Sequence, residues 1–195
     1  MNIELTGVGG ANQGGVYVAP YYLSIDGHNS VAMICDDFSH EVTISESWNA
    51  TIHTFANLDG TRFGTADTQE YDEAAWLYKQ YLGDPSQAGN INFALWALFT
   101  PSAQSSSGYT GGAATWYSDA LSWYAGGGEK TFNFTGFEII TPTNLWGSNS
   151  PQEYLYYCPP ASSPTPEPSS LLLLGTGLLG IGTFVRRRLN SVGVS

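Results

Sequence analysis

Positive charge is scarce in this chain and unevenly placed. The 195 residues contain six Lys and Arg against seventeen Asp and Glu, for a formal net charge of −11. Three of the six basic residues lie together at positions 186–188, and only Arg62, Lys79 and Lys130 precede them. Such a surface would repel a phosphate backbone, and the counterion release that drives nucleic-acid binding would be lost. The composition therefore excludes nucleic acid as a partner.

Recognisable catalytic and metal-binding motifs are also missing. The chain has no Gly-x-Ser-x-Gly elbow, no Asp-x-Asp-x-Asp-Gly calcium loop and no Cys-His signature. The best candidates for metal or hydrolytic chemistry are Asp36, Asp37 and His40 in CDDFSH, but strand alternation would separate Asp37 from the other two. We therefore expect turn or edge carboxylates beside a solvated histidine, with no metal and no cofactor, in a protein that is not an enzyme.

Only two cysteines are present, Cys35 and Cys158. In an exported chain they could form one disulfide, which would stabilise the fold by roughly 4 to 5 kcal/mol because it would close a long loop. Cys158 lies at the edge of a Pro-rich stretch, so it could equally be a free or intermolecular thiol. The sequence leaves these alternatives open.

Large apolar side chains are plentiful enough for one core, since 42 % of the residues are hydrophobic and 14 % aromatic. Residues 15–26, 31–45, 130–142 and 151–157 are rich in Val, Ile, Tyr and Phe and predict β-strands. Helical periodicity predicts three helices, within residues 65–84, 86–99 and 111–128, the first with a capping box of Asp67 and Glu70. This order predicts a strand-rich α+β domain over residues 1–158 with an inserted set of about three helices.

The C-terminal segment has a different organisation. Residues 159–170 are rich in Pro and Ser and predict an extended linker. An uncharged apolar stretch then begins at Leu171 and ends at Val185, and as a helix it would reach roughly 22 Å, short of the ~30 Å hydrocarbon core. Arg186, Arg187 and Arg188 follow and would stay on the cytoplasmic side. We therefore expect a single apolar helix that enters the membrane with the acidic domain outside, followed by a short tail over residues 189–195.

This segment resembles the PEP-CTERM sorting signal. In that family a Pro-Glu-Pro motif, an apolar helix and an Arg-rich end follow one another, and the matching positions here are Pro166, Glu167, Pro168, residues 171–185 and Arg186, Arg187 and Arg188. The resemblance implies a membrane-anchored precursor that an exosortase, a membrane transpeptidase-like enzyme, processes near the motif. It also implies delivery to the cell surface or an exopolysaccharide matrix. Residues 1–23 show no basic n-region or apolar h-region, so we expect a signal peptide to have been lost upstream of Met1.

The preceding domain resembles two kinds of surface domain. The segments GGVYVAPY, CDDFSHEV, EYDEAAWLYKQY and INFALWALF are similar to a domain found on many PEP-CTERM proteins. They also resemble thioester adhesin domains, in which a Cys joins covalently to a Gln that precedes an Ala-hydrophobic-Trp segment. The matching positions are Cys35 and Asn92, with Asn in place of the family's Gln. The resemblance implies a thioester between Cys35 and Asn92.

Six tryptophans and twelve tyrosines also suggest carbohydrate binding. Exposed aromatic rings stack on sugar faces, and acidic side chains accept hydrogen bonds from hydroxyl groups. Trp76 and Trp96 lie in helix-periodic apolar stretches and are expected in the core. The other four lie near turns or on helix faces, where they can be exposed, namely Trp48, Trp116, Trp123 and Trp146. The sequence thus predicts a non-enzymatic surface or matrix protein, with a surface adhesin or glycan-binding module as the alternative.

Overall fold

The structure is a computed structural model that describes residues 1–10, 12–147 and 149–160. The predicted apolar helix, the basic end, the tail and most of the predicted linker lie outside the described residues. Within these residues, no helix has the length and apolar character needed to cross a membrane. The residues from Met1 to Pro159 form one compact unit.

Six antiparallel strands close into a barrel, and two short strands form a separate hairpin. The eight strands are β1 (Asn2–Val8), β2 (Asn12–Gln13), β3 (Val16–Tyr17), β4 (Tyr21–Ile25), β5 (Val31–Cys35), β6 (Ser47–Thr54), β7 (Phe137–Pro142) and β8 (Tyr154–Tyr157). Around the barrel the order is β1, β4, β5, β8, β7 and β6, with β6 pairing back to β1. Closure leaves the barrel without a free edge strand that could pair with another chain.

The three predicted helices are confirmed as α1 (Thr68–Gly83), α2 (Ala88–Phe99) and α3 (Gly111–Ala125). The α+β class is likewise confirmed, since strands, helices and strands follow one another. The predicted capping box is wrong, because the Asp67 side chain makes no capping hydrogen bond. Asp67 belongs to a short 3-10 turn, with φ −102° and ψ 33°, rather than to the extended backbone that an N-cap residue adopts.

Alternation along the strands divides the buried side chains into two cores. Met33 and Tyr154 point into the barrel, whereas Ile34, Ile139 and Leu155 point outward against the helices. Helix α2 lies between the two cores and is buried almost all round, as its apolar composition requires. It places aromatic rings against the barrel core and aliphatic side chains against the other helices.

The strand predictions were less accurate than the helix predictions. β1 and β6 were not identified, and the predicted strand over residues 31–45 ends at Cys35. β1 and β6 contain several polar residues because one of their faces is largely exposed, so their apolar signal is weak. Residues 36–46 belong to no strand and form an irregular segment instead. This segment supplies the residues of the candidate site.

Candidate functional site

The two aspartates that follow β5 are buried. Asp36 is 0 % exposed and Asp37 is 1 % exposed, so the expectation of turn or edge carboxylates is wrong for both. The expected separation of Asp37 from His40 is also wrong, because the chain leaves strand geometry after Cys35. His40 Nδ1 lies 2.8 Å from Asp37 Oδ2. Since a carboxylate can only accept, Nδ1 carries the hydrogen of this bond.

Behind this pair lies a group of charged side chains that we term the buried charge cluster, namely Asp36, Asp37, Arg62 and Glu153. Arg62 Nε lies 2.9 Å from Asp37 Oδ2, so the two side chains form an ion pair. The angle at Nε is not suited to a hydrogen bond, and the contact is electrostatic. The guanidinium also donates to Ser150 Oγ at 2.8 Å and to the Pro151 carbonyl. Only 7 % of the Arg62 side chain is exposed, so water screens the pair very little. Arg62 therefore holds together segments that are far apart in sequence.

Glu153 is the carboxyl of the cluster that receives the most hydrogen bonds from protein donors. It accepts hydrogen bonds from the Arg62 backbone N–H at 2.8 Å, from the Tyr71 hydroxyl and from the Thr141 hydroxyl. Burial raises its pKa, and these hydrogen bonds oppose the rise. By contrast, neither carboxyl oxygen of Asp36 receives a hydrogen bond from the described residues. Burial raises the pKa of Asp36 well above its ordinary value, and the neighbouring charge of Glu153 raises it further. Burial and the neighbouring carboxylate thus favour the protonated form of Asp36.

Beside the cluster, the protein surface opens into a cavity of about 280 Å³, which we term the aromatic pocket. Its apolar walls are formed by Val16, Tyr17, Tyr21, Phe38, Val42 and Trp96. Polar groups come from His40, Glu41 and Gln152. The pocket lies between the β2–β3 hairpin, the segment that follows β5, and α2. It joins the buried charge cluster through the hydrogen bond between Asp37 and His40.

Exposure of the tryptophans follows the prediction only in part. Trp96 is 3 % exposed and contributes to the core as expected. Trp146 is 86 % exposed, also as expected. Trp48, however, is only 8 % exposed, because it faces the barrel interior and stacks on Tyr154. The described exposed aromatic surface is therefore smaller than the tryptophan count suggests.

The structure places Cys35 and Asn92 close together through backbone contacts. Asn92 Nδ2 donates to the Cys35 carbonyl at 2.9 Å, and Asn92 Oδ1 accepts from the Ala19 backbone N–H at 2.9 Å. The Cys35 thiol instead contacts the Asp37 backbone. Burial raises the pKa of the Cys35 thiol well above its ordinary value, which keeps it protonated and weakly nucleophilic. The thioester stays a prediction, and in this geometry Asn92 links α2 to the end of β5.

Of the alternatives that the sequence left open for the two cysteines, the structure has them unpaired. Cys35 is buried, Cys158 is exposed, and both are free thiols. The physical reason is strand register, since Cys35 lies opposite Tyr154 and Cys158 is four residues further along. Four residues of strand span about 13 Å, roughly twice the Cα separation that a disulfide bridges.

Sequence reasoning missed Arg62, Glu153, Tyr71 and Thr141 as members of the site. Arg62 carried a usable signal, because it is one of only three basic residues before position 186. A scarce cation among many acidic residues is a candidate for pairing with buried carboxylates. Glu153 carried no local signal, since it lies 91 residues from Arg62. In the described part of the chain, no three His, Cys, Asp or Glu side chains converge as metal ligands.

Comparison with known proteins identifies the C-terminal segment. A family model described as the PEP-CTERM protein-sorting motif matches residues 164–188. This confirms the predicted sorting signal and supports an exported, exosortase-sorted protein of the cell envelope. The match covers none of the described barrel and helices. No curated protein and no solved structure matches the chain.

Replacement of the buried cation should destabilise the fold strongly. In Arg62→Met, Asp37 loses its ionic partner in a site that excludes water. Removing one member of a buried pair typically costs about 3 to 5 kcal/mol, and we expect a loss of that size in the free energy of unfolding. Lys130→Met is the matched control, because 78 % of that side chain is exposed, and it should change stability by less than about 0.5 kcal/mol. Equal stability of the two variants in urea denaturation would contradict the assignment.

The proton on Asp36 predicts a specific pH dependence. An unfolded aspartate has a pKa of about 3.9, so above about pH 4 the folded chain holds a proton that the unfolded chain releases. This contribution to stability is complete below that pH and is lost as the pH rises toward the raised pKa. Asp36→Asn keeps the shape and cannot titrate. The free energy of unfolding of this variant should therefore fall less steeply with pH than that of the wild type. The two slopes should differ by up to about 1.4 kcal/mol per pH unit, the value for one proton.

Urea denaturation at intervals from pH 4 to pH 8 measures this difference. Burial also raises the pKa of Asp72 to about 6 and that of Glu73 to about 7, but both groups are present in the two proteins and cancel in the comparison. Burial raises the pKa of Glu153 as well, and because Glu153 neighbours Asp36, the difference in slope reports these two carboxyls together. Asp119→Asn is the control, because Asp119 is exposed, and its curve should run parallel to that of the wild type. A parallel curve for Asp36→Asn would mean that Asp36 is ionised in the folded protein.

Proposed function

We propose that this chain is a non-enzymatic surface or extracellular-matrix protein that an exosortase sorts through residues 164–188. The observation that carries the proposal is the sorting motif, which contains the Pro166-Glu167-Pro168 sequence and the three arginines in the order required. Before processing, residues 171–185 hold the precursor in the membrane. After processing, the barrel domain is released to the cell surface or to the exopolysaccharide around the cell.

Burial of the reactive side-chain types supports a non-enzymatic role. The Cys35 thiol is fully buried and protonated, so it is not available as a nucleophile. Glu153 is 0 % exposed, and its hydrogen-bond donors all come from the protein itself. His40 is hydrogen-bonded to the Asp37 carboxylate and also lines the aromatic pocket. Cys35 and Glu153 therefore serve the fold, and His40 is the group left to contact a ligand.

Processing of the tail tests the sorting proposal. The full chain, joined to an export leader, is expressed in a host that has an exosortase and in the same host without the enzyme. Mass spectrometry should find that residues after the Pro166–Pro168 region are lost only in the first host. Replacement of Pro166, Glu167 and Pro168 by Ala should abolish the loss, whereas replacement of Pro159 and Pro160 should not. An intact tail in the membrane fraction of both hosts would contradict sorting.

A second candidate function is a surface adhesin or glycan-binding module. The aromatic pocket favours it, because the pocket combines apolar ring surface with polar groups at an accessible site. We expect the full chain to co-sediment with purified exopolysaccharide of its host, because this polysaccharide surrounds the cell at the place of delivery. Co-sedimentation no greater than that of an unrelated protein of similar charge would contradict glycan binding and leave the sorting proposal unaffected.

A further inference from the structure

The aromatic pocket has walls that are held in place before any ligand arrives. The Phe38 ring packs against Trp96, with ring centroids 5.2 Å apart, and Trp96 in turn packs edge-on against Phe93. Across the pocket, the Tyr21 hydroxyl donates to the Tyr17 carbonyl at 2.6 Å and fixes the end of the β2–β3 hairpin. A pocket whose walls are already ordered loses little entropy when it binds.

The hairpin that carries Tyr17 is anchored a second time. Gln13 Nε2 donates to the Gly108 carbonyl at 2.6 Å, which ties β2 to the connection before α3. Tyr17 itself is 52 % exposed, while Tyr21 and Trp96 are 4 % and 3 % exposed. The pocket therefore presents one open aromatic face at its rim above a closed floor. This shape suits a flat ligand stacked on one ring better than a cation enclosed by several rings.

The polar groups of the pocket define what the ligand must offer. Gln152 is already occupied, since its Nε2 donates to the Asp37 carbonyl and its Oε1 accepts from the Tyr154 hydroxyl. His40 uses Nδ1 for Asp37, so Nε2 is the ring nitrogen left for a ligand. The Glu41 carboxylate is exposed and has no hydrogen-bond partner among the described residues. With the hydrogen on Nδ1, Nε2 of the neutral ring is an acceptor, and so is the Glu41 carboxylate. The ligand must therefore offer donors to both, which two sugar hydroxyl groups can do.

Charge excludes an acidic ligand. The residues that line the pocket include Glu41 and no Lys or Arg, and the whole chain has a net charge of −11. An anionic sugar or a phosphate would meet repulsion without compensation. A cation would not be repelled, but the single open aromatic face of Tyr17 favours a flat ring over an enclosed cation. We therefore take the ligand to be an uncharged ring compound with an apolar face and several hydroxyl groups.

We infer that the aromatic pocket binds a neutral saccharide, with one sugar ring stacked on Tyr17 and its hydroxyl groups hydrogen-bonded to His40 Nε2 and Glu41. This inference rests on the glycan-binding function proposed above. At about 280 Å³ the pocket lies just below the range of ~300 to 1,000 Å³ for ligand sites, which suits one or two sugar rings at the end of a chain. Arg62 and Asp37 hold His40 in position and do not contact the ligand.

Calorimetric titration of the full chain tests the inference with neutral tetrasaccharides of glucose, mannose and galactose. An acidic oligogalacturonate and choline represent the competing ligand classes. Tyr17→Ala and His40→Ala should each weaken binding of a neutral tetrasaccharide about tenfold or more, since each removes a stacking face or a hydrogen bond. Tyr22→Ala and His28→Ala are matched controls, because both residues are exposed and lie outside the pocket, and they should bind as the wild type does.

Each result has a separate meaning. Selective loss of binding in the two pocket variants supports the inference. Neutral saccharides that bind all four variants equally would show that the aromatic pocket is not the binding site, while glycan binding itself would stand. Binding of oligogalacturonate or choline instead, lost in the pocket variants, would overturn the ligand class. If no probe binds at millimolar concentration and the host exopolysaccharide also fails to co-sediment, both the pocket and the glycan-binding function are overturned.

Discussion

The ion pair between Arg62 and Asp37 is the interaction on which the end of the barrel depends. Three carboxyl groups are buried there, and Arg62 is the basic residue placed among them. An unpaired charge in a low-dielectric interior costs free energy. The Arg62 guanidinium pairs with one carboxylate, and protonation of Asp36 removes the charge of another, so both lower this cost. The same guanidinium reaches the segment before β8 through Ser150 and Pro151. The connection before α1 is thereby joined to both β5 and β8.

This interaction also determines the geometry of the surface. On its buried side Asp37 pairs with Arg62, and on its other side it accepts a hydrogen bond from His40. The buried ion pair therefore fixes the position of the His40 ring in the aromatic pocket. The opposite wall of the pocket is positioned by Tyr21 and by the anchored hairpin. An accessible site with walls fixed from within the core is the arrangement expected of a binding module.

The chain divides its functions between two parts with different physical requirements. The sorting motif acts as a linear signal, so its residues need only follow one another in the right order. The barrel and helices must instead bury a core, and their surface decides what the protein contacts after delivery. The sorting address of the protein and the surface chemistry of its domain are therefore independent properties, and knowledge of one does not supply the other.

The sequence by itself determined the features that depend on neighbouring residues. It predicted the sorting motif, the three helices and the α+β class, because each follows from local order or periodicity. Only the tertiary structure decided that β1 pairs with β6, that Cys35 lies opposite Tyr154 rather than Cys158, and that Arg62 meets carboxyls from distant segments. The reason is that strand register and long-range burial depend on how the whole chain packs. A carboxylate such as Asp36 has the same local sequence signal whether it ends in water or in the core.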